Sequence, residues 1–102
     1  MREKRVSKIP GDSNDRCFVC GRRIGGIEVH HIFYGPNRQL SDEDGMMVHL
    51  CKMHHTGSEG VHNGNEELKR YLWRIGRSAW LKYYGSKEKF LERYGRNYGG
   101  DR

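Results

Sequence analysis

Every cysteine and every histidine in the chain falls between positions 17 and 62. Cys17-x2-Cys20 and Cys51-x2-His54 are two pairs, each with the two-residue gap that lets both side chains of one turn reach a single tetrahedral ion. Together they form a Cys3His donor set, whose chemistry is that of a structural zinc. A closed site of this kind contributes about 10–16 kcal/mol in finger peptides, more than the net stability of most small domains. The alternative is three reduced, buried cysteines beside a surface histidine.

Assigning those four residues to one ion leaves His30, His31, His49, His55 and His62. His30 and His31 are adjacent, inside the β-branched run Ile27-Glu28-Val29-His30-His31-Ile32-Phe33. His55 directly follows the last zinc ligand, so the zinc fixes its place. A second divalent ion held by His30, His55 and His62, with His31 beside it, would use four of the five. His49 is left to a structural or exposed role. A histidine-rich site is softer than the oxygen-rich sites that Mg²⁺ prefers, so Mn²⁺, Ni²⁺ or Co²⁺ should serve at least as well. The competing interpretation is one packed and one exposed histidine, since neighbours on a strand point to opposite faces.

The elements that must position these side chains can be sketched from local pattern. Residues 1–16 are a basic arm, with a cluster of turn formers from Pro10 to Asp15. Residues 17–26 make a tight knuckle, residues 27–33 a first strand and residues 46–50 a second, ending at Cys51. Residues 34–45 join them as an irregular loop. Asn65 should cap a helix running to about Tyr84, with Glu66 and Glu67 in its first turn. Leu68, Tyr71, Leu72, Ile75 and Ala79 mark its apolar face. Gly76 interrupts that helix, either for a close approach or as a kink. Gly85 should stop it, and Ser86 should cap a short final helix with Phe90, Leu91 and Tyr94 inward and Gly95 at its end. Residues 96–102 should fray. Knuckle, hairpin and helix in this order give a small α+β, treble-clef-like fold stapled by zinc.

Composition bounds the rest. With 102 residues, 34% hydrophobic and 31% charged, the chain is one domain with a small core. The odd cysteine count argues against a disulfide framework and for a reduced, intracellular compartment. No apolar run approaches the roughly 18 residues of a membrane span, and no secretory signal is visible. Residues 1–16 carry five Lys/Arg against three Asp/Glu, residues 17–65 four against five, and residues 66–102 ten against five. A near-neutral middle with basic flanks points to a polyanion. Arg70, Arg74 and Arg77, interleaved with Trp73, Trp80 and Tyr84 on the long helix, suit phosphate contact and stacking. Otherwise they merely solvate that face, with Trp80 in the core and Trp73 on either side of the question.

The motifs resemble those of the HNH, or ββα-metal (His-Me finger), endonucleases. His30-His31 is similar to the pair that closes the family's first strand, and His55 to the histidine that follows its second metal-ligand pair. The runs His30-His31-Ile32-Phe33, Leu50-Cys51-x2-His54-His55 and Val61-His62, and the ending Phe90-Leu91 to Gly95-Arg96-Asn97-Tyr98, look like those of small phage and prophage members, including the phage recombination-associated nucleases. The resemblance covers about residues 17–98, with 99–102 as a tail. It implies a ββα-metal fold and hydrolysis of DNA phosphodiester bonds to a 5′-phosphate and a 3′-hydroxyl. It also implies His31 as general base, and a catalytic Mg²⁺, Mn²⁺ or similar ion on His30 and His55, with His62 less firmly placed. The implied partners are DNA and either a recombinase filament or phage packaging machinery, in the cytoplasm of a bacterial host. One departure is clear: Met46 stands where the family has Asn, for which Asn37, Asp44 or Asn63 could substitute. The rival is a non-catalytic zinc-binding treble-clef module that binds nucleic acid or protein.

Overall fold

Strands β1 (Ile27–His31) and β2 (Met47–Cys51) pair antiparallel, with Ile27 opposite Cys51 and His31 opposite Met47. The computed structural model describes residues 7–23, 26–58 and 60–98. The first six residues of the arm, part of the turn before β1 and the tail at 99–102 lie outside the described residues. The architecture is a small α+β one, a two-stranded hairpin with helices around it. Among the described residues no helix is long and apolar enough to cross a membrane. β1 ends at His31 rather than at Phe33, and β2 runs one residue later than the spacing suggests.

The connection between the strands is not irregular. Gly35–Asn37 forms a 3-10 turn with Pro36 at its start, followed by α1 (Arg38–Glu43). Six residues are too few to show a helical period. What holds α1 in place is Ser41, fully buried, which donates to the Met46 carbonyl at 2.5 Å and accepts from the Phe33 amide at 3.2 Å. This pins the connection to the end of β1.

After β2 comes one helical turn, α2 (Lys52–His55), then α3 (Glu66–Tyr84) and α4 (Lys87–Tyr94). Asn65 caps α3 by accepting from the Leu68 amide at 3.0 Å, and Ser86 caps α4 through the Lys89 amide at 3.3 Å. The buried stripe of α3 is Leu68, Leu72, Gly76, Ala79 and Trp80. Tyr71, expected inward, is 47% exposed, and Ile75 only half-buried. On α4, Phe90 and Tyr94 are buried but Leu91 is 45% exposed, because α4 is covered along one edge only.

Gly76 sits where α3 crosses the end of β1. A Cβ there would stand 2.8 Å from Ile32 Cγ2 and 3.2 Å from Phe33 Cζ, so the close approach explains the glycine. Asp44 is the buried polar hub. It accepts from Trp80 Nε1 at 2.7 Å, from Arg93 Nε at 2.6 Å and from the Tyr94 hydroxyl at 2.6 Å. A buried carboxylate satisfied on this many sides ties α1, α3 and α4 together.

Two terminal segments are anchored rather than loose. Ile9 is buried in the core, Ser7 donates to the Met47 carbonyl at 2.6 Å, and Asp12 accepts from both the backbone amide and Nδ1 of His49. At the other end residues 96–98 are not frayed. Tyr98 is 5% exposed, its ring lies 4.7 Å from Phe33 and 5.1 Å from Trp73, and Asn37 donates to its hydroxyl.

Candidate metal centres

Cys17, Cys20, Cys51 and His54 converge on one point. The knuckle supplies the first pair. Cys51 ends β2 and His54 lies three residues on in α2, so the change from strand to helix brings both to one side. Cys51 Sγ and His54 Nδ1 are 3.3 Å apart, Cys17 Sγ and His54 Nδ1 3.8 Å, and Cys20 Sγ and Cys51 Sγ 3.8 Å. The edges of a zinc tetrahedron with ordinary bond lengths are about 3.8 Å for S–S and about 3.6 Å for S–N. The cluster therefore fits a metal ion such as zinc. Burial pushes the Cys17 thiol up, but hydrogen bonds from the backbone at Cys51, Cys20 and Val19 outweigh it and bring the thiol down to about 6. The Arg22 amide favours the Cys20 thiolate, yet burial and the neighbouring thiols Cys17 and Cys51 leave that thiol raised. Three sulfurs this close share negative charge badly without a cation between them.

A second cluster joins His30, His55 and His62, each offering a ring nitrogen within 4.8 Å of the others. Their ring centroids are 4.9 to 5.4 Å apart. His30 comes from β1 and is only 2% exposed. His55 ends α2. His62 is brought back by the tight loop after α2, in which its amide donates to the His55 carbonyl at 3.0 Å and the Val61 amide to that of His54 at 3.0 Å. Gly60 makes that loop possible, since a Cβ there would meet the His55 carbonyl at 2.7 Å.

Among the described residues neither ring nitrogen of His30 has a hydrogen-bond partner, although both are buried. Burial, then the neighbouring His62, His55 and His31, push its pKa down to about 3, so the ring is neutral. A buried imidazole without partners is costly in an empty protein and natural in a metal ligand. Burial, and then His55, lower the His62 pKa as well. Glu28, two residues before His30 on the same strand face, accepts from His55 Nδ1 at 2.7 Å. That leaves His55 Nε2 for a metal, with a carboxylate behind it as metal-bound histidines commonly have.

His31 stands apart from these rings. Its Nε2 lies 3.1 Å from Asp42 Oδ1 on α1, though its charge still reaches His30. The pleat turns the two neighbours to different sides of β1. Met46, where the resemblance would ask for Asn, is fully buried; its carbonyl accepts from the Ile32 amide and the Ser41 hydroxyl, and its amide donates to the Ser41 carbonyl. None of the three expected substitutes meets His31. Asn37 donates to Tyr94 and Tyr98, Asp44 is the core hub, and Asn63 donates to the Gly57 carbonyl. The residue that meets His31 is Asp42, which the sequence left in an irregular loop.

The three arginines of α3 divide. Arg70 and Arg74 are exposed, while Arg77 is half-buried with its guanidinium over the Phe90 ring at 5.8 Å. Trp80 lies in the core and Trp73 is half-buried. Glu28 and Asp42 were missed by sequence reasoning. Glu28 was findable, since it shares the period-2 face of His30; Asp42 was not, because its pairing depends on α1. No family model matches the chain, and no curated protein or solved structure matches it either.

Proposed function

We propose that the chain is a metal-dependent DNA endonuclease of the ββα-metal type, with zinc on Cys17, Cys20, Cys51 and His54. A Mg²⁺, Mn²⁺ or similar ion would bind His30, His55 and His62. The observation that carries this reading is the second donor set: three histidines meeting beside the zinc knuckle, one of them buried with both nitrogens unpartnered among the described residues. A structural module needs no such set.

A divalent ion bound there supplies Lewis acidity toward phosphate oxygens. The chain's own residues do the rest. Asp42 accepts a hydrogen bond from Nε2–H of His31, which leaves Nδ1 as the basic atom. Nδ1 takes a proton from the attacking water as the new P–O bond forms. The P–O3′ bond breaks, giving a 5′-phosphate and a 3′-hydroxyl whose proton comes from solvent. Glu28 fixes the ring of His55. Arg70, Arg74 and Arg77 would contact phosphate along α3, and a recombinase filament or packaging machinery would deliver the DNA in a phage-infected bacterial cytoplasm.

A plasmid-nicking series over Mg²⁺, Mn²⁺, Ni²⁺ and Co²⁺ tests this, with His31→Ala as control and zinc content and helicity monitored. Nicking with Mn²⁺, Ni²⁺ or Co²⁺ at least as fast as with Mg²⁺, lost in His31→Ala, is the expected result. Wild-type nicking by His31→Ala would remove the base assignment. The position of His31 outside the ring cluster favours the rival, a non-catalytic zinc-binding module for nucleic acid or protein. No nicking with any of the ions would select it.

A further inference from the structure

Arg96 follows α4, in a segment that the buried ring of Tyr98 locks in place. Its guanidinium lies 4.7 Å from the Tyr98 ring centroid and 5.2 Å from that of Trp73. Arg96 is nonetheless exposed, and among the described residues it has no hydrogen bond or ion pair. Its neighbours on this side of the molecule differ. Lys69, over the other ring contact of Trp73 at 5.1 Å, is paired with Glu66 at 2.7 Å, and Arg93 is committed to Asp44.

Tyr34 connects this cation to the histidines. Its ring lies 5.7 Å from that of His30 and 5.3 Å from that of His62, at the rim of the second cluster. Three residues on, Asn37 donates to the Tyr98 hydroxyl, which ties the turn that begins at Tyr34 to the ring under Arg96. So a guanidinium with its N–H groups unspent stands on a platform that is tied to the turn leaving the rim of the histidine centre. Two aromatic rings hold it, and they cut the entropy lost on binding. Planar, fixed N–H donors suit the oxygen pair of a phosphodiester as they suit a carboxylate, and the basic surface of Arg70 and Arg74, near Trp73 in sequence on α3, favours the polyanion.

We propose that Arg96, held by Trp73 and Tyr98, clamps the phosphodiester backbone of a nucleic-acid strand beside the His30–His55–His62 centre. The proposal deepens the nuclease reading and rests on it for the identity of the polymer. It places the main phosphate contact at the C-terminal segment, ahead of Arg70, Arg74 and Arg77 on α3.

Binding, not cleavage, is the test, so that the two proposals can fail separately. The full chain carrying His31→Ala is titrated with a fluorescent DNA duplex over a series of salt concentrations, alone and with Arg96→Ala or Arg96→Gln. Lys87→Ala, an exposed charge on α4, is the control. Both Arg96 variants should weaken binding about tenfold and reduce the slope of log K against log salt by about 0.9, the loss of one phosphate contact. Arg96→Gln keeps a stem over Trp73, so agreement between the two excludes a folding defect. Equal losses in Lys87→Ala, unchanged binding in both Arg96 variants, or no DNA binding by the parent would each overturn the clamp. Arg96-dependent binding without nicking by the wild type would keep the clamp and remove the nuclease.

Discussion

Asp42 Oδ1 accepts a hydrogen bond from His31 Nε2 at 3.1 Å, across the gap between α1 and the end of β1. One carboxylate thereby chooses which imidazole nitrogen is basic. Asp42→Asn removes the charge and leaves the amide free to present either its oxygen or its NH₂. Since general-base catalysis is worth about 10²–10⁴-fold, loss of its orientation should slow nicking about 10–100-fold. Zinc content and thermal stability should stay near those of the parent. An Asp42→Asn variant that nicks at the parent's rate would show that His31 is oriented by something else or is not the base.

Glu28 is set behind His55 as Asp42 is behind His31, at 2.7 Å. Here the consequence is affinity rather than proton transfer. Glu28→Gln should weaken Mn²⁺ binding at the second centre about 10–100-fold, while the Cys3His site keeps its zinc. Titration calorimetry with Mn²⁺ on zinc-loaded protein reads this directly. An unchanged Kd would mean that Glu28 does not position His55 for the ion, and no Mn²⁺ binding by the parent would remove the second centre.

His30 predicts a pH dependence. Its folded-state pKa lies at about 3, far below the ordinary histidine value, because burial and three neighbouring histidines disfavour the charged ring. Between roughly 6.5 and that value the unfolded chain binds a proton that the folded chain refuses. The neutral ring's share of stability is therefore whole above about pH 6.5 and is lost as pH falls through this window. His62, also lowered, acts with the same sign. For zinc-loaded protein without the second ion, denaturant melts from pH 7.5 to 5.5 should be steeper in wild type than in His30→Gln. The difference has a ceiling of about 1.4 kcal/mol per pH unit. Parallel curves would mean that His30 is hydrated and not buried in solution.

What could be read from the sequence was local. The Cys-x2-Cys and Cys-x2-His pairs, the Asn65 and Ser86 caps and the pattern of each strand depend on residues a few positions apart. The hidden parts depend on what packs against what. Helix α1 has too few residues for a period, and its anchor is a single buried serine. The true stripe of α3 drops Tyr71 for Gly76 and Trp80, because the end of β1 and the Asp44 hub decide which way the helix turns. The C-terminal segment looked like a fraying tail, yet Tyr98 joins Phe33, Trp73 and Asn37, 25 to 65 positions away on the chain by no rule of spacing. The three histidines that meet came from a subtraction, removing the zinc ligands first. Glu28 behind His55 was within reach by the same period-2 logic, whereas Asp42 behind His31 was not, since its place depends on α1.

Gly76 joins the helix to the site, and its replacement pits two effects against each other. Gly76→Ala gains about 1 kcal/mol of helix propensity in α3. It also places a methyl 2.8 Å from Ile32 Cγ2 and 3.2 Å from Phe33 Cζ, in a contact that is already closed. Overpacking of this kind costs about 1–3 kcal/mol, so the variant should be destabilised on balance by up to about 2 kcal/mol. Ile32 and Phe33 follow His30 and His31 directly, so the displacement should also loosen Mn²⁺ binding at the histidine centre. Ile32→Ala removes the atoms that clash. If the contact is the cause, the double variant Gly76→Ala/Ile32→Ala should be less destabilised than the sum of the two single changes, by a coupling of about 0.5–3 kcal/mol. Denaturant melts of the four proteins complete the cycle. Simple additivity would mean that the helix moves away from β1 as a body, and that Gly76 is kept for some reason other than this contact.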